Sequence, residues 1–142
     1  MASSPRVKGF AHERELARRL WKEGFAVVRA PASGAKTKRV IYPDITAIYK
    51  RTVLVIEVKV FSKPRDAYIE ERKIRRLVEF AERAGGKALV AIKFIGSGEW
   101  RLVDVKGLEL TPSGYYRIPK SLIYGGIKLE ELIERVKKGL EF

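Results

Sequence analysis

The chain reads as one α/β domain, a central mixed β-sheet of about five strands flanked by α-helices. Three observations predict it. Apolar residues recur at helical spacing over residues 10–23, 70–84 and 127–140, and in short strand-like runs between them. The resulting order is helix, three strands, helix, two strands and a closing helix, which makes a mixed sheet with helices packed on it. At 142 residues and 46% hydrophobic content, the chain is long enough to bury a core as a single domain without staples.

Each element has its own signal. Residues 1–8 are short, polar and basic, and read as a flexible arm in which Arg6 and Lys8 are available to a polyanion. The first helix, 10–23, closes at Gly24 and carries an apolar stripe of Phe10, Leu16, Ala17, Leu20 and Trp21. Glu13 falls on that stripe, and an acid on a buried face is a local rule broken, which marks candidate functional positions. Residues 25–30 are a strand. The segment 31–42 follows as a mobile basic loop, with Ser33, Lys36, Lys38 and Arg39 suited to ordering against phosphate. Residues 44–49 and 53–60 form a hairpin around Lys50-Arg51. The second helix, 70–84, ends at Gly85-Gly86 and buries Ile74, Leu77, Val78 and Ala81. Phe80 lies off its stripe, so the helix around Leu77 and Phe80 is the expected contact with another subunit. Strands 87–94 and 99–105 are joined at Gly96-Ser97-Gly98, residues 106–126 carry no clear period, and both pairs Trp21/Phe25 and Trp100/Phe94 are expected in the core.

The chemistry concentrates at Pro43-Asp44 and Glu57-Val58-Lys59. Charges inside a run of branched apolar residues are expensive to bury without a job or a partner. A tight hairpin on Lys50-Arg51 pairs positions whose numbers sum to 101, which sets Asp44 opposite Glu57. Their Cβ atoms would then be about 5 Å apart. Both carboxylates face one side, with Lys59 one step along. Lys-Arg is a poor pair for a primed turn, so this register is an expectation of the strand pattern against the turn chemistry. Glu13, Asp44 and Glu57 together supply hard oxygen ligands for Mg²⁺ or Mn²⁺, and Lys59 can orient a water or stabilise phosphoryl charge, the equipment of a nuclease. An ion pair of Lys59 with Glu57 or Asp44 on a sheet edge is the plain alternative.

Composition narrows the class. Thirty Lys and Arg against 17 Asp and Glu leave a net charge of +13, which calls for a polyanionic partner, most often nucleic acid. The absence of cysteine excludes disulfides and thiolate metal sites, and one histidine cannot build a zinc site alone. No apolar run reaches a membrane span and no signal-peptide core is present, so a cytoplasmic protein is expected. The chain also has no Asn or Gln and a single Met, the composition of a hyperthermophile protein. His12, beside Glu13, points about 100° away from it on a helix and reads as a surface or phosphate contact.

Pro43-Asp44 and Glu57-Val58-Lys59 resemble the signature of the PD-(D/E)xK nuclease superfamily, whose restriction-endonuclease-like fold agrees with the element order. Within it the chain resembles the archaeal Holliday junction resolvases, through residues 9–15, 24–34 and 77–81 leading into Gly85-Gly86. The resemblance covers about residues 6–104. It implies a homodimeric, Mg²⁺-dependent endonuclease that nicks four-way DNA junctions symmetrically, with Mn²⁺ as a substitute ion. By position it implies Glu13, Asp44 and Glu57 as metal ligands, Lys59 and Ser33 as catalytic, and Arg14 and Arg29 near the phosphate. The basic stretch 36–42 and residues 106–126 depart from the family pattern, and protein partners are not legible. Another nuclease of the same fold, acting on mismatches, flaps or restriction sites, and a non-catalytic nucleic-acid binder are the competing classes.

Overall fold

A computed structural model describes residues 5–31 and 42–142. Helix α1 (Pro5–Lys22) leads into strand β1 (Ala26–Arg29), followed by β2 (Ile45–Tyr49), β3 (Thr52–Phe61) and β4 (Ala67–Glu70). Helix α2 (Glu71–Ala84), β5 (Lys87–Phe94) and β6 (Trp100–Asp104) come next. The chain then adds β7 (Glu109–Leu110), β8 (Tyr115–Ile118), α3 (Lys120–Tyr124), β9 (Ile127–Lys128) and α4 (Leu129–Lys138).

Among the described residues the central sheet has six strands in the order β1-β2-β3-β5-β6-β9, in keeping with the mixed sheet of about five expected. It is mixed because β3 and β5 are parallel, with helix α2 as the crossover, whereas the remaining neighbours are antiparallel. Two departures are additions. Residues 106–126, which carry no period, hold β7, β8 and α3, and β4 joins β8 and β7 in a second sheet of three strands. Asp66 fixes that sheet: its Oδ2 accepts from Arg117 Nη2 at 2.9 Å and its Oδ1 from the Lys120 N–H at 2.7 Å. Residues 5–8 of the expected arm belong to α1, whose described residues begin at Pro5.

The sheet separates two apolar layers. On one side α1 and α4 bury Leu16, Leu20, Ile45, Leu54, Ile56, Trp100 and Leu132. On the other, α2, α3 and the small sheet bury Val55, Ile69, Ile74, Leu77, Val90, Ile92 and Ile123. Strand β3 is therefore covered on both faces, which is why it reads as a continuous apolar run. The turn from α2 into β5 needs two glycines for different reasons. Gly85 caps the helix in the left-handed region (φ 67°), and a Cβ on Gly86 would stand 2.6 Å from the Val53 carbonyl oxygen.

One expected core residue is elsewhere. Phe25, Phe94 and Trp100 are buried, but Trp21 is 66% exposed. The buried stripe of α1 runs through Glu13, Leu16, Ala17 and Leu20 and leaves Trp21 outside it.

Candidate active site

The hairpin register is the one the strand arithmetic requires. Ile45 pairs with Ile56, Thr46 with Val55 and Tyr49 with Thr52, so every pair sums to 101. Asp44 stands one residue before β2, and its Oδ2 accepts a hydrogen bond from the Val58 N–H at 2.8 Å. That bond pins the aspartate across β3, where it shares a side-chain hydrogen bond with Glu57. The Lys59 ammonium lies 4.0 Å from Glu57 Oε2. In the parallel ladder Glu57 lies beside Val90 and Lys59 beside Ile92, both buried on the α2 side, so the pair points to that face.

Two carboxylates this close and this dry cannot both ionise easily. Burial, then the Asp44 charge, pushes the Glu57 carboxyl from an ordinary 4.5 up to about 7, against the opposing pull of Lys59 and Lys73. Burial raises Asp44 as well, while the Val58 N–H and the two lysines favour its charged form. The pair therefore shares one proton, held in the hydrogen bond between Glu57 and Asp44, at a pH where an ordinary carboxyl has lost its own.

Glu13 is buried on α1, as its place on the apolar stripe implies, but it does not complete a compact triad. Among the described residues, no group of three acidic or other ligating side chains is close enough to hold an ion as it stands. The physical reason is the sheet itself: α1 packs on one face and Glu57 points to the other. Asp44 is the carboxylate that Glu13 feels. Burial, then the Asp44 charge, lifts Glu13 to about 6, opposed by Arg29, whose Nε lies 3.4 Å from Glu13 Oε1. Arg29 reaches this position from β1, one residue before the chain leaves the sheet.

The remaining expectations separate. Arg14 is exposed on α1. Ser33, Lys36, Lys38 and Arg39 lie outside the described residues, and of Arg6 and Lys8 only the helical backbone is described. Leu77, expected at a subunit contact, is 4% exposed and already used in the core of its own chain; Phe80 is half-buried at the rim of the same core. His12 Nδ1 lies 3.9 Å from Glu15 Oε2, away from the acid pair. Two cations escaped the sequence reading. Lys73 of α2 acts on both Asp44 and Glu57, a contact set by tertiary packing with no local signal. Lys93, 6% exposed in β5, sets its Nζ 3.3 Å from Glu15 Oε2 and 5.6 Å from the centre of the Trp100 ring. The signal that singled out Glu57, a charge inside an apolar strand, was present at Lys93 too.

A mixed sheet that delivers an aspartate and a Glu-Val-Lys segment from adjacent strands, with an acid from the preceding helix, is the architecture of the PD-(D/E)xK nucleases. The chain belongs to the archaeal Holliday junction resolvase (Hjc) family, whose model matches residues 4–140. It is 35% identical over 135 residues to the crossover junction endodeoxyribonuclease Hjc of Sulfurisphaera tokodaii, covering 95% of this chain and 92% of that protein. The Hjc of Archaeoglobus fulgidus is 37% identical over 125 residues, 88% of each chain. The solved structure of A. fulgidus Hjc, a Holliday junction resolvase from an archaeal hyperthermophile, superposes with a TM-score of 0.75 at 33% identity, over 95% of this chain and 98% of that one.

Proposed function

We propose that this protein is a homodimeric, Mg²⁺-dependent endonuclease that resolves four-way DNA junctions by paired phosphodiester hydrolysis in the cytoplasm. The observation that carries the reading is the half-buried Asp44–Glu57 pair with Lys59 at 4.0 Å, in a chain of this family with a net charge of +13. The donors fit a hard divalent ion: they are carboxylate oxygens, the chain has no cysteine, and its one histidine stands beside Glu15 instead. Asp44 and Glu57 would hold the ion, with Glu13 as a third carboxylate on the far side of Asp44. Mg²⁺ commonly takes only one or two protein carboxylates and completes its shell with water and substrate oxygens, which suits a site without a full protein cage. When bound, such an ion lowers the pKa of water and neutralises phosphoryl charge.

The chain's own groups do the positioning. The Val58 N–H fixes Asp44, and Glu57 must release its proton before it can act as a ligand. Lys59 orients the attacking water or stabilises charge on the phosphoryl oxygens, and Lys73 adds positive charge from α2. Arg29 holds Glu13 in place and, with Arg14, meets the backbone of the DNA; Arg6, Lys8, Lys36, Lys38 and Arg39 extend that contact, and Ser33 serves the cleaved phosphate. In-line attack by water opposite the 3′ oxygen, which departs as the 3′-hydroxyl, leaves a 5′-phosphate. A four-way junction has approximate two-fold symmetry and each chain has one site, so paired cuts call for a two-fold dimer, for which α2 with Phe80 is the contact.

The test uses an end-labelled four-way junction beside a linear duplex of the same sequence, with and without Mg²⁺. Wild type nicks the junction only with the ion, and Asp44→Asn or Glu57→Gln abolishes nicking with junction affinity largely kept. Equal cleavage of the duplex sinks junction selectivity, and unchanged rates in either mutant sink the site.

A further inference from the structure

The large aromatic side chain that the core leaves out lies in a cationic setting. Arg14, Arg18 and Trp21 recur at i, i+4 and i+7 on α1, and all three are exposed. With Ala17 they form one wall of an open depression of about 310 Å³, and Val27 and Arg29 of β1 form the other. Among the described strands β1 lies at the edge of the sheet, and its Val28 is 65% exposed. Thus three guanidinium groups ring an exposed indole, and among the described residues no carboxylate lines the depression. Its rim is continuous with the acid site, because Arg29 is the same residue that lies 3.4 Å from Glu13.

We propose that this depression is a nucleotide-stacking subsite, in which Trp21 packs on an unstacked base of the junction while Arg14 and Arg18 hold the flanking phosphates. The inference rests on the nuclease reading of the neighbouring site. Charge complementarity selects the occupant: Arg29 is already paired with Glu13, but an apolar protein surface would leave the exposed Arg14 and Arg18 facing it without partners, whereas a DNA strand offers a phosphate to each and a π-face to the indole. The branch point of a four-way junction exposes base faces that a continuous duplex keeps stacked, so a tryptophan here favours junction over duplex. Spacing agrees. Trp21 is eight residues from Glu13 along α1, about 12 Å at the helical rise. That is about three to four base-pair steps.

The experiment exploits the fact that the chain has two tryptophans, of which Trp100 is 1% exposed and Trp21 is 66% exposed. Acrylamide quenching of tryptophan emission is measured on the wild-type protein in EDTA, alone and with saturating four-way junction or linear duplex. Junction affinity is then measured by anisotropy for wild type, Trp21→Ala, Trp21→Phe and Arg18→Ala over a range of salt. The junction is expected to shield the exposed emission more than the duplex does. Trp21→Ala should weaken junction binding about tenfold, with Trp21→Phe recovering most of it. Arg18→Ala should reduce the slope of log affinity against log salt by about 1, and Trp21→Ala should leave the slope unchanged. Unaltered quenching on the junction, or wild-type affinity in Trp21→Ala, overturns the subsite while wild type still nicks the junction. A change of oligomeric state in Trp21→Ala by light scattering also overturns it, in favour of a subunit contact. If wild type neither binds nor nicks the junction, the nuclease reading fails and the subsite with it.

Discussion

The proton held between Asp44 and Glu57 makes the metal-free protein sensitive to pH in a direction opposite to that of most carboxylates. An acid held by an ion pair has a lowered pKa and loses its stabilising effect as pH falls. Glu57 is the reverse case: its folded value is about 7 against an ordinary 4.5. Below about 4.5 it is protonated in both states and contributes nothing. Between 4.5 and 7 the unfolded chain ionises while the folded one keeps its proton, so stability falls as pH rises, and above 7 the penalty is complete. The gap corresponds to about 3 kcal/mol, with Glu13 adding in the same direction through its own rise to about 6. For a chain of this size that is a loss of about 10 °C in Tm between pH 5 and pH 8. Glu57→Gln removes the ionising group, so in EDTA the mutant should be more stable than wild type at pH 8 and nearly equal to it at pH 5. Mg²⁺ should restore wild type at pH 8 and leave the mutant unmoved, since binding the ion substitutes for the proton. Thermal unfolding across pH 5–8.5, with EDTA and with Mg²⁺, reads all four arms. A mutant-minus-wild-type difference that stays constant with pH refutes the shared-proton account of the pair.

Three further outcomes follow from the scaffold. Gly86→Ala places a methyl group 2.6 Å from the Val53 carbonyl oxygen and should destabilise by about 1–3 kcal/mol, read as a lowered midpoint in denaturant titration. Lys50 carries the hairpin turn at φ 53°, the left-handed region, so Lys50→Gly should stabilise by up to about 1 kcal/mol, read as a slightly raised Tm; a drop shows that the Lys50–Tyr49 ring contact outweighs the strain. Phe80→Glu should give a monomer with little junction cleavage by light scattering and gel assay, and a mutant that stays dimeric removes α2 from the interface.

The parts of this molecule that were legible in its sequence are those that depend on local period, and the parts that were not depend on which face meets which. The 101 register was readable because the polar Lys50-Arg51 between two apolar runs marks the centre of a tight hairpin. It held although Lys50-Arg51 is the wrong chemistry for the turn. The strain is absorbed at Lys50, and a slip of one residue would take Glu57 away from Asp44. Glu13 was found by the same reasoning, as an acid on a buried stripe, yet periodicity on α1 says nothing about the face of the sheet it covers. It therefore could not show that Glu57 points to the opposite side. The second sheet was invisible for a different reason. Its strands are two to four residues long, too short to show a period, and Asp66 ties them to Arg117 and Lys120 more than 50 positions away. Trp21 is the instructive failure. Hydrophobicity and spacing placed it on the stripe with Ala17 and Leu20, but α1 ends over β1, which among the described strands is the outermost of the sheet. A tryptophan kept at such a place, ringed by arginines, is better explained by what it touches outside the chain than by the core it failed to join.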